Sequence, residues 1–292
     1  KKLATQLGMQ RHAMDNMHRV VELIQSGAIG DVNEVHSWIS SNRGMPPQPV
    51  KTVPVPKTLD WDLWIGPAKF RPYAVNSKGE GALAPYNWRF WWDYGTGETG
   101  NWGCHILDIP FWALDLKYPT HVDATGPQID ADRTPTEIQT SFAFPGNDKR
   151  GPIKLHWAQA KNGPAILKEK GVSLKGANTL FIGSRGMLLT GFGSYKLFPE
   201  KTFESFKAPD KFIPDSPGFH KEWTNACKGD APATCNFDYS GPLSETVLLG
   251  NTAYRAGGGF DWDAPSLTAT GNENANQYLV SKFRKGWEEF TS

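Results

Sequence analysis

The middle of the chain, residues 122–198, contains a series of short segments with the pattern of β-strands, separated by turn residues. Segments of this kind are rich in apolar, β-branched and aromatic residues, and the Gly, Pro, Asn and Asp residues between them favour turns. The segments are HVDATGP, IQTSFAFP, IKLHWAQ, TLFIGSRGMLLTGF and SYKLFPE. Together they predict one antiparallel sheet of five or more strands, which is the strongest constraint on the fold.

Helical patterns lie on both sides of this block. Residues 11–26 carry Met14, Met17, Val21 and Ile24 at spacings of three and four residues, so they predict a helix with one apolar face. The segment LATQLGMQ before this helix and DVNEVHSWIS after it are predicted to be strands. Further helices are predicted over residues 102–114 with Asn101 as the N-cap, FHKEWTNACKG, GPLSETVLLGNTAYRAGG and the tail NENANQYLVSKFRKGWEEF. This order of elements predicts an α+β fold, with a large, open, mostly antiparallel sheet flanked by helices.

The composition argues against two classes of partner. The formal net charge is +1 and the basic residues are scattered, so no basic stripe predicts binding to nucleic acid. No apolar run approaches the roughly 20 residues that a membrane helix needs, so no membrane partner is expected. The chain contains 30 glycines, 22 prolines and 12 tryptophans, which favours a pocket built from loops and indole faces over a helical bundle.

Five segments in order resemble the Gfo/Idh/MocA oxidoreductases, in particular a tryptophan-rich bacterial branch of sugar dehydrogenases. The segments are TQLGMQRH…VVELIQSGAIGDVNEVHSW, LDWDLWIGPA, GNWGCHILDIPFWAL, NFDYSGPLSETVLLGNTAYR and KFRKGW. The resemblance implies a small-molecule carbohydrate as ligand, and a homo-oligomer formed through the open sheet. It leaves the compartment open between the bacterial cytoplasm and periplasm.

The chain departs from the family at its amino-terminal end. Members of the family begin with a dinucleotide-binding Rossmann domain, which carries a Gly-rich turn and a later Glu-Lys-Pro segment. No GxGxxG follows a strand here, the string EKP is absent, and neither GEGALA at 79–84 nor RAGGGF at 255–260 opens a helix. Residues 1–30 are therefore expected to be a remnant of the nucleotide-binding domain, its last strand and helix, and residues 31–292 the substrate-binding and oligomerisation domain. No cofactor is expected from this chain alone, and NAD(P) is expected if the other half is supplied.

The segment GNWGCHILDIPFWAL carries the predicted catalytic residues His105 and Asp108. The resemblance implies that this segment opens a helix beside the nicotinamide and the sugar. Residues three apart on a helix share a face, so the carboxylate can hold the imidazole in one tautomer and leave its other nitrogen for a substrate hydroxyl. Gly100 and Gly103 are expected to leave room for a ligand. The alternative is a buried histidine that is satisfied by a neighbouring aspartate.

Further candidate residues lie on both sides of this segment. Lys161 is a third candidate catalytic residue, as a general base if it is desolvated. Gln10 and Arg11 follow the first predicted strand and are candidates for cofactor binding, because this edge borders the nicotinamide pocket in relatives. The candidates for substrate binding are Trp88, Arg89, Trp92, Asn101, His156 and Trp157. Indole faces suit the C–H faces of pyranoses, and Arg89 suits hydroxyls or a carboxylate. Core packing, a helix cap and a solvated surface lysine are the alternatives.

The histidines show no HxxxH or HxH spacing, so the sequence predicts no metal site. A site assembled from residues distant in sequence stays open. Three functions remain: the substrate half of an NAD(P)-dependent sugar oxidoreductase, a cofactor-independent glycoside hydrolase or lyase that acts on sugars or 3-keto sugars through His105, and a non-catalytic carbohydrate-binding module. The sequence does not decide whether the chain is an enzyme, nor which sugar it takes.

Overall fold

The computed structural model describes residues 3–288 and is built around a nine-stranded open sheet. The order of the strands across the sheet is β11-β10-β4-β5-β6-β1-β7-β8-β9. The bounds are β1 Val32–Ile39, β4 His121–Thr125, β5 Ile138–Phe144, β6 Ile153–Gln159, β7 Ala177–Gly183, β8 Gly186–Gly191, β9 Tyr195–Phe198, β10 Phe260–Asp263 and β11 Thr268–Thr270, while β2 Lys51–Thr52 and β3 Ala74–Val75 form a separate two-stranded sheet. Neighbouring strands are antiparallel except β1 and β6, which are parallel. The predictions of one sheet over residues 122–198 and of an α+β fold are confirmed.

Helices cover one face of this sheet. The bounds are α1 Asp15–Gln25, α2 Trp61–Ile65, α3 Gly97–Ala113, α4 Ile166–Glu169, α5 Phe219–Cys227 and α6 Phe237–Ala256. Helices α3 and α6 pack on each other and on the strands, and α1 packs on α3. Alternate strand residues such as Val35, Leu155 and Trp157 point into this layer, where they join Leu107 and Val247 in the main hydrophobic core. Among the described residues, no helix is long and apolar enough to cross a bilayer.

The other face of the sheet is only partly covered. The segment around α4 packs there on a second apolar cluster, which includes Trp38, Leu180 and Val172. Next to this cluster the sheet and the segment 163–169 enclose a cavity of about 530 Å³. Its floor is polar and includes His36 and His156, which belong to the neighbouring strands β1 and β6.

Both ends of the chain differ from the prediction. Residues 3–8 form no strand, and a 3-10 helix, Gln10–Ala13, follows them. The backbone N–H of Leu7 instead donates to the carbonyl of Cys235, 3.0 Å away, just before α6. A strand needs a neighbouring strand with which to exchange hydrogen bonds, and none of the described residues supplies one. The tail forms a 3-10 helix only at Glu273–Tyr278, and its predicted last residues, 289–290, lie outside the described residues.

Candidate functional site

Helix α3 begins five residues earlier than predicted, so Asn101 lies inside the helix and not at its cap. Thr96 is the N-cap residue, and Gly97 follows it with φ 67°, a conformation that favours glycine. Asn101 and His105 are four residues apart on this helix and therefore share a face. The prediction missed the true start because residues 97–100 include two glycines, and the N-cap residue Thr96 makes no side-chain capping hydrogen bond.

His105 is half-buried, and its Nδ1 atom is buried without a hydrogen-bond partner among the described residues. The ring meets Trp102 edge-on, with the ring centroids 6.0 Å apart. Burial, together with the positive charge of Arg11, lowers the pKa of His105, and the charge of Asp108 opposes this shift only weakly. The imidazole is therefore neutral at pH 7, which is the form that accepts a proton.

Asp108 does not hold His105; its carboxylate binds residues from two other elements. His12 Nδ1 lies 2.9 Å from both carboxylate oxygens, and the Tyr239 hydroxyl donates to Oδ1 at 2.6 Å. The His12 ring also stacks on Trp112, with centroids 4.1 Å apart. Burial, followed by the charge of Asp108, raises the pKa of Tyr239 well above its ordinary value. The prediction of a hydrogen bond between His105 and Asp108 is thus wrong. Through its bonds to His12 and Tyr239, Asp108 instead connects the 3-10 helix and α6 to α3. His12 and Tyr239 carried no signal in the sequence, since they lie 96 and 131 residues from Asp108.

The two candidate cofactor residues occupy the 3-10 helix beside this cluster. The Arg11 guanidinium lies 3.9 Å from the centroid of the Phe192 ring and 5.7 Å from that of Trp102. It forms no ion pair with any of the described residues. Gln10 is exposed. The structure therefore brings the Arg11 guanidinium next to His105, and no carboxylate of the described residues pairs with it.

Trp88 and Arg89 are joined to Asn101 through a chain of contacts. Asn101 Nδ2 donates to Glu98 Oε2 over 3.4 Å, and the other carboxylate oxygen of Glu98 pairs with Arg43. Arg43 also donates to the hydroxyl of Tyr86. The Arg89 guanidinium lies over two rings, Tyr86 at 4.6 Å and Trp88 at 4.7 Å. An aromatic and cationic wall thus runs from the start of α3 to residues 86–89.

The remaining candidates lie elsewhere. The Trp157 indole is buried and donates to Thr99 Oγ1 of α3 over 3.1 Å, so it packs beneath the helix. His156, its neighbour on β6, points to the opposite face of the sheet, as strand alternation requires, and does not meet His105. Trp92 donates to the carbonyl of Asp130 and lies outside the chain of contacts described above. Lys161 is exposed, so the desolvation that a lysine base requires is missing.

The two glycines of the segment do not open the backbone to a ligand. A Cβ atom on Gly103 would lie 2.8 Å from Val247 Cγ1, so this glycine allows α3 and α6 to pack closely. A Cβ atom on Gly100 would collide with the side chain of Thr96. The close packing of two helices explains Gly103 without any ligand.

The described residues do not form a cradle for a dinucleotide. Helix α1 begins after Met14 without a glycine turn, and Asp15 in its first turn repels phosphate. GEGALA forms bends, and RAGGGF ends α6, where Gly257 is the left-handed C-cap residue.

The nine-stranded open sheet, backed by α3 and α6, resembles the substrate domain of two-domain oxidoreductases. The chain belongs to the Gfo/Idh/MocA oxidoreductase family: residues 35–289 match the model described as "Oxidoreductase family, C-terminal alpha/beta domain". No curated protein matches the chain.

Solved structures with the same fold share little sequence with this chain. An NAD-binding protein from Listeria innocua is 11% identical with a TM-score of 0.51. The match covers 88% of this chain and 66% of the Listeria chain. The WlbA dehydrogenase from Bordetella pertussis, solved in complex with NADH and UDP-GlcNAcA, is 10% identical with a TM-score of 0.52. The match covers 89% of this chain and 63% of the Bordetella chain. The chain therefore spans less than two thirds of the length of these proteins.

Proposed function

We propose that this chain is the carbohydrate-binding half of a sugar oxidoreductase, in which His105 moves a proton at a sugar hydroxyl. One observation carries the proposal: Nδ1 of His105 is buried beside Arg11 and has no hydrogen-bond partner among the described residues. A buried polar atom without a partner costs about 1–3 kcal/mol. Such a cost is expected where a ligand completes the hydrogen bonding.

The lowered pKa of His105 fits a proton acceptor. Oxidation of an alcohol releases the hydroxyl proton, and a neutral imidazole within hydrogen-bond reach accepts it. In the reverse direction the imidazolium returns the proton to the oxygen of the carbonyl. Asp108 acts indirectly, because its bond to His12 anchors the 3-10 helix that carries Arg11.

The wall beside His105 supplies groups that recognise a sugar. The Asn101 amide, one helical turn before His105, suits a hydroxyl. The Trp88 indole suits the C–H face of a sugar ring. Arg11 and Arg89, which form no ion pairs among the described residues, suit a carboxylate or hydroxyls. The Bordetella relative that was solved with UDP-GlcNAcA is consistent with an anionic sugar.

NAD(P), when bound, would supply the redox chemistry as the hydride acceptor. Because the described residues lack a phosphate cradle, we assign to this chain the binding of the sugar and the proton transfer, with Gln10 and Arg11 at the cofactor edge. We also propose a homo-oligomer formed through the open face of the sheet, which light scattering after gel filtration tests.

Sugar binding to the purified chain tests the function. Saturation-transfer NMR with neutral sugars and uronic acids is expected to detect binding, and His105→Asn is expected to weaken it about tenfold, the value of one hydrogen bond of about 1.4 kcal/mol. His121→Asn, which changes an exposed histidine on β4, is the matched control and is expected to have no effect. Sugar binding that His105→Asn leaves unchanged would refute the site.

A second assay separates the three functions. With NAD(P) and a dinucleotide-binding half supplied, a change in nicotinamide absorbance with the sugar, lost in His105→Asn, supports the oxidoreductase. Turnover of a nitrophenyl glycoside without nicotinamide, also lost in His105→Asn, favours the hydrolase or lyase instead. Sugar binding without either activity leaves a non-catalytic binding module.

A further inference from the structure

A second cluster of ligand-type side chains lies on the open face of the sheet, away from His105. β1 and β6 are parallel neighbours, and His36 is the register partner of His156. Their imidazoles stack with centroids 4.4 Å apart and planes 8° from parallel. Glu34 lies two residues before His36 on β1, so its side chain points to the same face.

The nitrogen atoms of both rings converge on one carboxylate oxygen. Glu34 Oε1 lies 2.8 Å from Nε2 of His36 and 3.5 Å from Nε2 of His156. One ligand atom from each of the three residues lies within 4.8 Å of the others. Four ligands about 2.0–2.2 Å from a zinc ion stand about 3.3–3.6 Å apart, so small rotations of these side chains suffice.

We propose that Glu34, His36 and His156 bind one divalent transition-metal ion, of which Zn²⁺ is the representative. Two imidazoles and one carboxylate are the ligand types that zinc accepts, and three protein ligands leave a fourth position for water or a ligand. That position faces the cavity of about 530 Å³ between the sheet and α4. The site lies across the sheet from His105 and is independent of the sugar site.

The surroundings of the cluster leave it open to a cation. The side chains of His36, His156 and Glu34 keep 13%, 27% and 38% of their surface exposed, so an ion can enter. Glu169 of α4 lines the same cavity and adds negative charge.

Isothermal titration of the untagged chain with Zn²⁺, after removal of metal with a chelator, tests the proposal. We expect one ion per chain, with binding in the micromolar range or tighter. We expect binding to weaken at least about 100-fold in each of His36→Asn, His156→Asn and Glu34→Gln. Mutation of a residue that only hydrogen-bonds to a metal ligand lowers metal affinity by up to about 100-fold, so loss of a ligand itself should cost no less. His121→Asn is the matched control, because His121 also pairs with a carboxylate, Asp261, over 2.7 Å at the surface of the same sheet.

Two further readouts make the test decisive. Co²⁺ bound to the wild-type chain should show the visible absorption of a four-coordinate site, and lowering the pH should release the metal as the imidazoles protonate. Circular dichroism checks that the variants remain folded, and the exposed Glu34→Gln change carries the least risk to the fold. The proposal fails if Zn²⁺ binds only in the millimolar range, or if His36→Asn and His156→Asn bind it as well as the wild type does.

Discussion

Replacing Asp108 with alanine tests the conclusion that this carboxylate is an internal anchor. In the folded chain it accepts hydrogen bonds from His12 and Tyr239. The His12 and Asp108 side chains are almost completely withdrawn from water, and Tyr239 is partly buried. The change removes the acceptor and leaves the His12 imidazole nitrogen buried without it, whereas the Tyr239 hydroxyl keeps its second acceptor, the backbone carbonyl of residue 108, 3.1 Å away. The alanine methyl group cannot replace either bond.

The expected loss follows mainly from the stranded imidazole of His12. Each buried donor without a partner costs about 1–3 kcal/mol, and removing one member of a buried pair typically costs about 3–5 kcal/mol. We therefore expect Asp108→Ala to lower the free energy of unfolding by about 3–5 kcal/mol. For a chain of this size the melting temperature should fall by about 5–8 °C. Tyr239→Phe strands no group in this way and should cost only about 1–2 kcal/mol.

The chain contains a matched control for this experiment. His121 and Asp261 form the same Nδ1–Oδ1 contact, 2.7 Å long, but their side chains are 49% and 70% exposed, against 2% and 1% for His12 and Asp108. An exposed pair is worth about 0–1 kcal/mol, so Asp261→Ala should change stability little. Urea unfolding followed by circular dichroism measures both variants. Equal losses in Asp108→Ala and Asp261→Ala would show that burial does not set the value of this contact.

Two further predictions concern helix packing and pH. Gly103→Ala should destabilise the chain by about 1–3 kcal/mol, because the new Cβ atom would press on Val247. The control is Gly241→Ala in α6, where a Cβ atom meets no atom within 4 Å, so this change should be neutral or stabilising by up to about 1 kcal/mol. Equal melting temperatures for the two variants would contradict the packing argument. The free energy of unfolding should also fall as the pH drops from about 6.5 to about 4 in chelator-treated buffer. In this range His156 stays neutral in the folded chain, where its pKa is about 4, while the unfolded chain takes up a proton at the ordinary histidine pKa. His156→Gln should remove about 1–2 kcal/mol of that loss, with solvent screening included, and a urea midpoint that depends on pH equally in both proteins would refute this.

The sequence by itself determined the elements whose pattern is local. The strand segments between residues 122 and 198 and the helices α1, α5 and α6 follow from periodicity and turn residues within a few positions, and they were predicted correctly. The family resemblance likewise depended on whole segments, and the match over residues 35–289 bears out the family, though not the branch of sugar dehydrogenases. The placement of His105 on a helix was predictable for the same reason.

Only the tertiary structure decided which side chains meet. Asp108 binds His12 and Tyr239, and not its sequence neighbour His105, because α3 turns that carboxylate toward the interior where three elements pack. His36 meets His156 because β1 pairs in parallel with β6, a pairing that no local pattern encodes. Periodicity records how each segment distributes its apolar surface, whereas partners more than 90 residues apart depend on how those surfaces are assembled into one core.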